Sequence, residues 1–582
     1  MRSSTKLVVA PLLAAGALGQ FVPAPKDLIT KKGYADISVR YKEVPAGICE
    51  LNPDVKSYSG YADVEDNQHI FWWFFEARNQ DPTDAPLTVW INGGPGSTSM
   101  YGLFQELGPC GIGPDMKPFD NPYSWTNASN MLFIDQPTTT GFSYSIPVPG
   151  YTDSDGNLVE LPNATCPEYA TQFGSCGTYS KQDLSLTANS TAAAAPNMWK
   201  TLQGFMGAFP QYARKGFNFA TESYGGHYAP IFNAYILDQN AKKIPGAHKI
   251  KLENVLIGNG WFDPIVQYQA YYNFSVYPGN TYDYDPFNQT YKDEWYNNLY
   301  GPGNCMDQAK QCRELGTNAI CSAADSFCAN KVESMYDNAL GRDEYDVRYL
   351  TPDPFPYGYF KGYLNLPSVQ QAIGAYQNFS TSSSIVSAAF GNTGDDNREA
   401  GTIEACQKLL AAGVQLTMYF GDADYNCNWL GGQVIASMIN ATGFSQAGFT
   451  NISTSDGIVH GQVKQSGLYS FLRIYEAGHE VPFYQPLAAL SMFERALKRV
   501  DMATGTKKLS HNYRTVGTPT SDYREGNATI QMSVTPANAT YNTTLNAPDA
   551  TPQWSQQGFL GKRGVAGGLW RPRMSRRGKR AA

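Results

Sequence analysis

Residues 217–230 read FNFATESYGGHYAP, and this stretch decides the fold that the sequence predicts. An apolar run at 217–220 leads into a serine next to glycines, and a helical pattern follows. A strand, a sharp turn and a helix form the arrangement that lifts a nucleophilic serine out of an α/β sheet. The usual pattern is Gly-x-Ser-x-Gly, but Thr221 replaces the first glycine before Ser223 and Gly225. The stretch therefore predicts an α/β sheet with Ser223 as a candidate nucleophile.

Strand and helix patterns alternate on both sides of this stretch. Two aromatic-rich segments, 58–64 and 69–78, predict an antiparallel hairpin near the start of the chain. The later alternation predicts a mostly parallel central sheet with helices on both faces. Buried-strand patterns occupy residues 86–93, 130–137, 253–264, 414–420 and 471–475, and helical patterns occupy residues 197–210, 366–376, 406–413 and 486–500.

One long segment, 265–355, interrupts the alternation. It is rich in Tyr, Asn, Asp and Cys and has weak periodicity, which predicts an insertion that caps the sheet. Residues 20–264 and 356–514 would then be the two parts of the core. Residues 515–582 are rich in Ser, Thr and Asn and end in a basic run, so we expect them to be disordered or trimmed at dibasic pairs.

The N-terminal residues 1–19 predict a signal peptide. A basic start precedes an apolar run that is too short to span a bilayer, and the small residues Ala17 and Gly19 predict cleavage before Gln20. The alternative is a buried N-terminal helix. No later run reaches the length of a membrane span, so we expect a secreted protein, with retention in a vacuole or cell wall left open.

Composition agrees with secretion. Only 16% of residues are charged, against about a quarter in an average protein. The net charge of −7 argues against a nucleic-acid partner in spite of the basic end. Sequons for N-glycosylation are predicted at Asn127, Asn163, Asn189, Asn273, Asn288, Asn378, Asn440, Asn451, Asn527, Asn538 and Asn542.

The ten cysteines include no C-x-x-C pair, which favours disulfides over a metal or redox site. Four of them lie in the insertion with symmetric spacing, which predicts nested bridges. Cys406 and Cys427 are left over, and they either pair with each other or leave Cys427 as a free thiol near the active site. The predicted disulfides are Cys305–Cys328, Cys312–Cys321, Cys166–Cys176 and Cys49–Cys110.

A serine nucleophile of this kind requires a histidine later in the chain, in the loop at the carboxyl end of a strand. His479 fits, because it follows the strand pattern at 471–475 in a short turn. His460 lies in a polar loop and His511 in the C-terminal region. We therefore predict His479 as the base that takes the serine proton and returns it as an acid.

The acid that orients this histidine should also follow a strand. The strand pattern at 414–420 ends in GDADYNCNW, which presents Asp422 and Asp424, and the spacing leaves both open. The acid would fix the tautomer of His479 and stabilise the imidazolium.

A glycine-rich loop follows another buried strand, in VWINGGPGSTSMYGLFQELGP at 89–109. Consecutive glycines allow backbone N–H groups to point at one spot, which suits a developing oxyanion. An ordinary tight turn is the alternative. In this type of fold one donor comes from such a loop and the other from the residue after the nucleophile, which predicts the amides of Gly94 and Tyr224.

WINGGPG, ELGP, NMLFIDQP with GFSYS, ESYGGHY, GDADYNCNW and GHEVP occur in an order that resembles the serine carboxypeptidase family, most of all its secreted fungal S1 type, over roughly residues 30–505. This resemblance implies an α/β-hydrolase fold with an inserted, disulfide-bonded cap. It places a catalytic triad on Ser223, Asp424 and His479, and so selects the second aspartate.

The resemblance also implies a site for the terminal carboxylate of a peptide, built from Asn92, Gly93, Glu106 and Glu222. Two carboxyl groups in contact do not both ionise, so one stays protonated and donates a hydrogen bond, and recognition weakens as pH rises. In the family the position of Glu480 borders the pocket of the leaving residue. An acid there predicts acceptance of C-terminal Lys or Arg.

The predicted reaction is removal of C-terminal amino acids through an acyl-enzyme on Ser223, without a metal or cofactor. A lipase or esterase would share the triad but would have no use for a carboxylate site. Acyltransferase or lyase relatives share most motifs and stay open, whereas an inert wall glycoprotein would not need a triad. Besides Thr221, one departure matters: Ser97 replaces a cysteine that often bridges to the cap in the family, so the cap must be tethered differently.

Overall fold

A computed structural model describes residues 21–153, 158–172, 176–398, 401–543 and 546–549. The predicted signal peptide and the basic end of the chain lie outside the described residues. The strands are β1 Ile29–Lys32, β2 Ser38–Val44, β3 Ser57–Glu65, β4 Gln68–Phe75, β5 Leu87–Ile91, β6 Cys110–Ile112, β7 Pro118–Asp120, β8 Asn130–Ile134, β9 Pro147–Thr152, β10 Leu158–Glu160, β11 Cys176–Ser180, β12 Phe217–Glu222, β13 Leu252–Gly258, β14 Gln415–Gly421, β15 Thr450–Ser453, β16 Val459–Ser466, β17 Tyr469–Ile474, β18 Tyr541–Asn542 and β19 Ala547–Pro548.

The helices connect these strands and form the insertion. They are α1 Thr191–Ala208, α2 Gly225–Lys242, α3 Pro264–Ser275, α4 Gln289–Tyr300, α5 Cys305–Leu315, α6 Asn318–Cys328, α7 Met335–Leu340, α8 Tyr359–Tyr363, α9 Pro367–Ile373, α10 Ser384–Gly391, α11 Thr402–Ala411, α12 Trp429–Met438, α13 Val481–Tyr484 and α14 Pro486–Lys498. Within the described part of the chain, no helix is long and apolar enough to cross a membrane.

Twelve strands form one sheet, in the order β1-β2-β3-β4-β8-β5-β12-β13-β14-β17-β16-β15. The six strands from β8 to β17 are parallel, and antiparallel strands widen the sheet at both edges. In the middle, Ala220 of β12 pairs with Trp90 on one side and with Leu256 on the other. The predicted hairpin is present as β3 and β4.

Both faces of the sheet are covered. Side chains alternate along each strand, so neighbouring residues pack on opposite faces. On β4, Trp72 packs against Phe205 of α1 on one face, with 5.1 Å between ring centroids. Its neighbour Trp73 points to the other face and meets Phe104 at 5.9 Å. The central strands are buried throughout, which explains their mostly apolar sequences. The predicted α/β-hydrolase fold, with helices on both faces of the sheet, is confirmed.

Helices α3 to α7 lie within the insertion, between β13 and the second part of the sheet. Cys406 and Cys427 are both unpaired and buried, so they do not form a fifth bridge. The four disulfides that the sequence predicts are present: Cys49–Cys110, Cys166–Cys176, Cys305–Cys328 and Cys312–Cys321.

The segment from residue 515 to residue 549 packs against the core where it is described, although its composition predicted no packed structure. The guanidinium of buried Arg473 donates to the backbone oxygens of Ser521 and Tyr523, at 2.9 and 2.8 Å. The Tyr541 ring lies 4.8 Å from that of Phe483 in α13. The core therefore supplies the partners that this polar segment cannot provide for itself.

Candidate active site

The predicted nucleophile lies at the sharp turn between β12 and α2. Ser223 has a φ of +62°, in the left-handed region that non-glycine residues rarely occupy. Its N–H donates to the Gly258 oxygen of β13 at 3.0 Å, which holds this strained conformation. Thr221 is accommodated because residue 225 is a glycine. A Cβ at that position would lie only 2.1 Å from Thr221 Oγ1. The glycine after the serine therefore leaves room for the threonine before it.

The structure brings Asp424 and His479 together at the carboxyl ends of β14 and β17. Asp424 Oδ2 lies 2.7 Å from His479 Nδ1, and both side chains are buried. Burial lowers the pKa of His479, but the Asp424 carboxylate more than offsets this, so the pKa lies above its usual value. Asn259 Nδ2 also donates to Asp424 Oδ2 at 2.7 Å, an orienting contact that the sequence did not predict.

No hydrogen bond joins the Ser223 hydroxyl to the His479 ring among the described residues. In substrate-free sites this contact is often long and tightens only when substrate binds. Of the two hydrogen bonds expected in the predicted triad, the structure thus contains the one between Asp424 and His479. Ser223 lies at the turn between β12 and α2.

Asp422, the other candidate acid, faces a different set of partners. Its Oδ1 accepts from the Tyr282 hydroxyl at 2.9 Å and from the Glu476 N–H at 3.0 Å. Its Oδ2 lies 3.5 Å from the guanidinium of Arg473. Asp422 therefore belongs to a buried polar network behind the site.

Three backbone amides border the Ser223 turn without an acceptor among the described residues: those of Gly93, Gly94 and Tyr224. Gly93 approaches the turn so closely that a Cβ there would lie 2.4 Å from Tyr224 N and 2.7 Å from Ser223 Cβ. Gly94 has a φ of +109°, which only glycine adopts readily. Tyr224 also precedes α2, whose N-terminus favours negative charge. The arrangement suits an oxyanion.

The predicted carboxylate site is one connected cluster. Asn92 Nδ2 donates to Glu222 Oε1 at 2.6 Å and to Glu106 Oε1 at 3.2 Å. Asn92 Oδ1 accepts from Trp90 Nε1 at 2.8 Å and from Gly102 N at 3.0 Å, which fixes the amide with its N–H groups toward the two carboxyls. The positioning role of Trp90 was not predicted, because only the folded strand brings its indole N–H to Asn92.

The carboxyl groups of this cluster favour protonation. Burial raises the pKa of Glu106 well above its usual value, and the neighbouring Glu222 raises it further. Burial and, to a smaller extent, the charge of Glu480 raise the pKa of Glu222 to about 8. Burial and, to a smaller extent, the charge of Glu106 likewise raise the pKa of Glu480 to about 8. Glu106 Oε2 and Glu480 Oε2 are buried without a partner in the described chain, so both carboxyls have capacity for a ligand.

The loop after β5 is held by hydrogen bonds to the second part of the core. Thr98 N donates to Thr381 O, and Ser383 N donates to Gly96 O, both at 3.0 Å. The Thr98 hydroxyl also donates to buried Asp135 at 2.6 Å. These contacts connect the glycine loop to the segment before α10, and they do not reach the predicted cap.

The unpaired Cys427 lies next to the candidate acid. Its backbone N–H is 3.3 Å from both oxygens of Asp424. Burial and the charge of Asp424 raise the pKa of the Cys427 thiol well above its usual value. A thiol held protonated is a poor nucleophile, so Ser223 is the better candidate.

Comparison with known proteins agrees with this geometry. A family model described as serine carboxypeptidase matches residues 47–499. Carboxypeptidase S1 homolog B of Arthroderma otae is 38% identical over 552 residues, which cover 87% of this chain and 83% of that protein. Carboxypeptidase S1 of Penicillium janthinellum is 36% identical over 462 residues, which cover 78% and 98%.

A solved structure supports the fold. The crystal structure of Kex1(delta)p, a prohormone-processing carboxypeptidase from Saccharomyces cerevisiae, aligns with a TM-score of 0.58 at 21% identity and covers 82% of this chain and 97% of that one. The chain belongs to the serine carboxypeptidase family, and it is a hydrolase that removes residues from the C-terminus of peptides.

Proposed function

We propose that this protein is a secreted carboxypeptidase with an acidic pH preference, and that it cleaves through an acyl-enzyme on Ser223. The observation that supports this most is the buried cluster of Asn92, Glu106 and Glu222 beside the serine turn. A hydrolase of internal bonds or of esters gains nothing from such a cluster. A free carboxylate at the end of a peptide is the ligand that it suits.

The reaction divides into two proton-balanced halves. His479 takes the hydroxyl proton as Ser223 Oγ attacks the last peptide carbonyl, and the Asp424 carboxylate stabilises the resulting imidazolium. The amides of Gly94 and Tyr224 donate to the oxyanion. The imidazolium then gives its proton to the leaving nitrogen and the terminal amino acid departs. Water repeats the sequence on the acyl-enzyme and frees the shortened peptide and the serine.

The carboxylate site works with a proton on one of its glutamates. A protonated Glu222 or Glu106 donates to the substrate carboxylate, together with Asn92 Nδ2 and the Gly93 amide. When both glutamates ionise, they repel that carboxylate. Affinity for substrate should therefore fall as pH rises, so the acidic preference that we propose concerns substrate binding. The rate constant kcat should fall at low pH, because the His479 imidazole, whose pKa is raised, must be neutral to take the serine proton.

A blocked dipeptide and its C-terminal amide test this proposal when kcat/KM is measured for both across a range of pH. We expect the free acid to be cleaved about 100-fold better under acidic conditions, because two or more charged hydrogen bonds are lost with the amide. The ratio of acid to amide should fall as pH passes through about 8, where Glu222 loses its proton. The low-pH decline should affect both substrates equally, since both depend on His479.

The control is Glu222→Gln, which carries no titratable proton. Its ratio of acid to amide should show a smaller fall at high pH than that of the wild type, because only Glu106 of the pair can still ionise. Equal cleavage of acid and amide at every pH would instead indicate an amidase or esterase without carboxylate recognition.

The proposal includes acceptance of basic C-terminal residues through Glu480. This residue precedes α13, next to His479, and its Oε2 is buried without a partner in the described chain. A Lys or Arg side chain of the leaving residue would supply that partner and favour ionisation of Glu480. We expect Glu480→Met to lower the ratio of lysine release to leucine release about tenfold.

Release of lysine and leucine from two otherwise identical blocked dipeptides measures this ratio. Glu43→Gln removes a charge from an exposed position of β2 and should leave the ratio as in the wild type. If Glu480→Met behaves like Glu43→Gln, then Glu480 does not select the leaving residue.

Export is the last part of the proposal. Four disulfides are typical of proteins that fold in an oxidising compartment. The predicted signal peptide and glycosylation sites agree with export, and N-terminal sequencing of protein recovered outside the cell should begin at Gln20.

A further inference from the structure

The side chain and the backbone N–H of Tyr224 have different surroundings. The N–H, one of the two proposed oxyanion donors, borders the Ser223 turn without an acceptor among the described residues. The side chain is only 3% exposed, and its hydroxyl donates to Asp395 Oδ2 at 2.8 Å. Neither Asp395 nor this hydroxyl takes part in the proposed reaction steps. The side chain is therefore available to fix the position of the N–H.

Asp395 is a buried carboxylate with several donors on one oxygen. It is 2% exposed, and its Oδ2 also accepts from the backbone N–H of Thr191 at 2.9 Å and from the Thr191 hydroxyl at 2.6 Å. Thr191 begins α1, a helix of 18 residues whose N-terminus favours negative charge. Hydrogen bonds to a carboxylate are stronger than those between neutral groups. The bond from Tyr224 to Asp395 is thus well suited to hold a side chain in one place.

The loop that carries Asp395 packs against the insertion. Its backbone at Gly394 lies so close to α6 that a Cβ there would be 2.1 Å from the carbonyl carbon of Cys321. The Arg398 guanidinium donates to Asn318 Oδ1 at the start of α6, at 2.9 Å. The disulfide of Cys321 closes the turn between α5 and α6. The disulfide-bonded helix pair therefore holds the loop of Asp395 in position.

The ring of Tyr224 is also fixed. It stacks on His227 of α2, with 4.8 Å between ring centroids and 11° between the ring planes. His227 Nδ1 lies 2.8 Å from the Trp261 oxygen, and Trp261 N donates to the Ser223 oxygen at 2.8 Å. Oxyanion donors are effective only at about 2.7–3.1 Å from the developing charge. Because Gly94 and Tyr224 come from separate strands, anchors of this kind decide whether both amides reach that range.

We propose that Asp395 is a positioning residue for the oxyanion site, because its bond with the Tyr224 hydroxyl holds the Tyr224 N–H where the oxyanion forms. This inference rests on the proposed role of that amide. Asp395 itself touches no substrate and acts through Tyr224. The insertion then contributes to catalysis as well, since it fixes the loop of Asp395.

Two inhibitors that differ in one group test this role. Both resemble a blocked dipeptide with its terminal carboxylate, and both carry CH₂ in place of the scissile N–H. One keeps the scissile carbonyl as a ketone: Ser223 Oγ bonds to its carbon, the hydroxyl proton passes to His479, and the ketone oxygen becomes an oxyanion. The other has CH₂ in place of that carbonyl and forms no bond to Ser223. The ratio of their inhibition constants cancels binding at the carboxylate site and measures stabilisation of the hemiketal.

Tyr224→Phe should weaken the ketone about tenfold and leave the CH₂ compound unchanged. Loss of a whole oxyanion donor costs about 100- to 1000-fold, and here the donor is displaced and not lost. In peptide cleavage kcat should fall by a similar factor with little change in KM. Asp395→Ala should behave like Tyr224→Phe, whereas Asp395→Asn, which keeps an acceptor for the hydroxyl, should retain most of the wild-type ratio.

Tyr212→Phe is the matched control. The Tyr212 hydroxyl also donates to a buried carboxyl group, Glu76 Oε1, but Tyr212 precedes β12 and lies at the end of that strand away from Ser223. Its loss should lower stability and leave the ratio as in the wild type. If Asp395→Ala fails to fold, Tyr224→Phe decides, because it removes a single hydroxyl. An unchanged ratio in Tyr224→Phe would overturn the positioning role and leave the proposed reaction intact. Equal binding of both inhibitors by the wild type would overturn the oxyanion donors and this inference together.

Discussion

Ser223→Ala is expected to lower kcat/KM for a blocked dipeptide roughly 10⁵- to 10⁶-fold, because the acyl-enzyme can then no longer form. The amides of Gly94 and Tyr224 and the carboxylate site stay in place, so a small residual rate above that in water should remain. The thermal unfolding midpoint should change little. The Ser223 hydroxyl makes no hydrogen bond in the described chain, and alanine meets the same left-handed backbone restriction as serine.

Release of the terminal amino acid measures the loss, with Ser387→Ala as the matched control. Ser387 is exposed on α10, so the same hydroxyl deletion there should leave kcat/KM at the wild-type value. Substantial cleavage by Ser223→Ala would identify a different nucleophile and would remove the serine turn from the mechanism.

The buried centre of the sheet could be predicted from the sequence because its strands carry a strong signal. Strands β5 and β14 are buried along their whole length and are mostly apolar, and each leads directly into a turn with glycines or aspartates. The edge strands carry a weaker sequence signal. Strand β1 is the exposed tetrapeptide ITKK, and β15 is TNIS, with one apolar residue among four. Their strand conformation depends on pairing with β2 and β16, a long-range effect that local patterns do not report.

The same distinction applies to the site. Ser223 and His479 could be predicted because each follows a strand in a recognisable turn. The orienting roles of Asn259 and Trp90 could not, because they arise from contacts between separate strands. Thr221 is a further case: its tolerance depends on the missing side chain of Gly225, which is visible only when the turn is folded.

The choice between Asp422 and Asp424 shows why spacing alone was insufficient. Both follow β14 and lie two residues apart, so either could face the end of the sheet. The loop turns Asp424 toward His479, where Asn259 and the Cys427 N–H accompany it. Asp422 lies instead beside Arg473, which binds the C-terminal segment. The composition of that segment did not indicate that it packs against the core.

Asp424→Asn is accordingly expected to lower kcat about 10⁴-fold, with little change in overall structure. The new amide can donate to His479 Nδ1, which stabilises the tautomer that carries its proton on Nε2. Such an imidazole cannot accept the Ser223 proton, and no carboxylate remains to stabilise an imidazolium. Steady-state kinetics of blocked-dipeptide cleavage measure the effect, and KM should change far less than kcat because the carboxylate site is untouched.

Asp422→Asn is the matched control, since it makes the same substitution two residues away. Its contacts with Tyr282 and Arg473 lie in the network behind the site, so we expect near-normal kcat and a free energy of unfolding lower by about 1–3 kcal/mol. Chemical denaturation measures the second quantity. The opposite pattern, with kcat lost in Asp422→Asn and kept in Asp424→Asn, would assign the orienting role to Asp422 and would mean that the hydrogen bond between Asp424 and His479 is not part of catalysis.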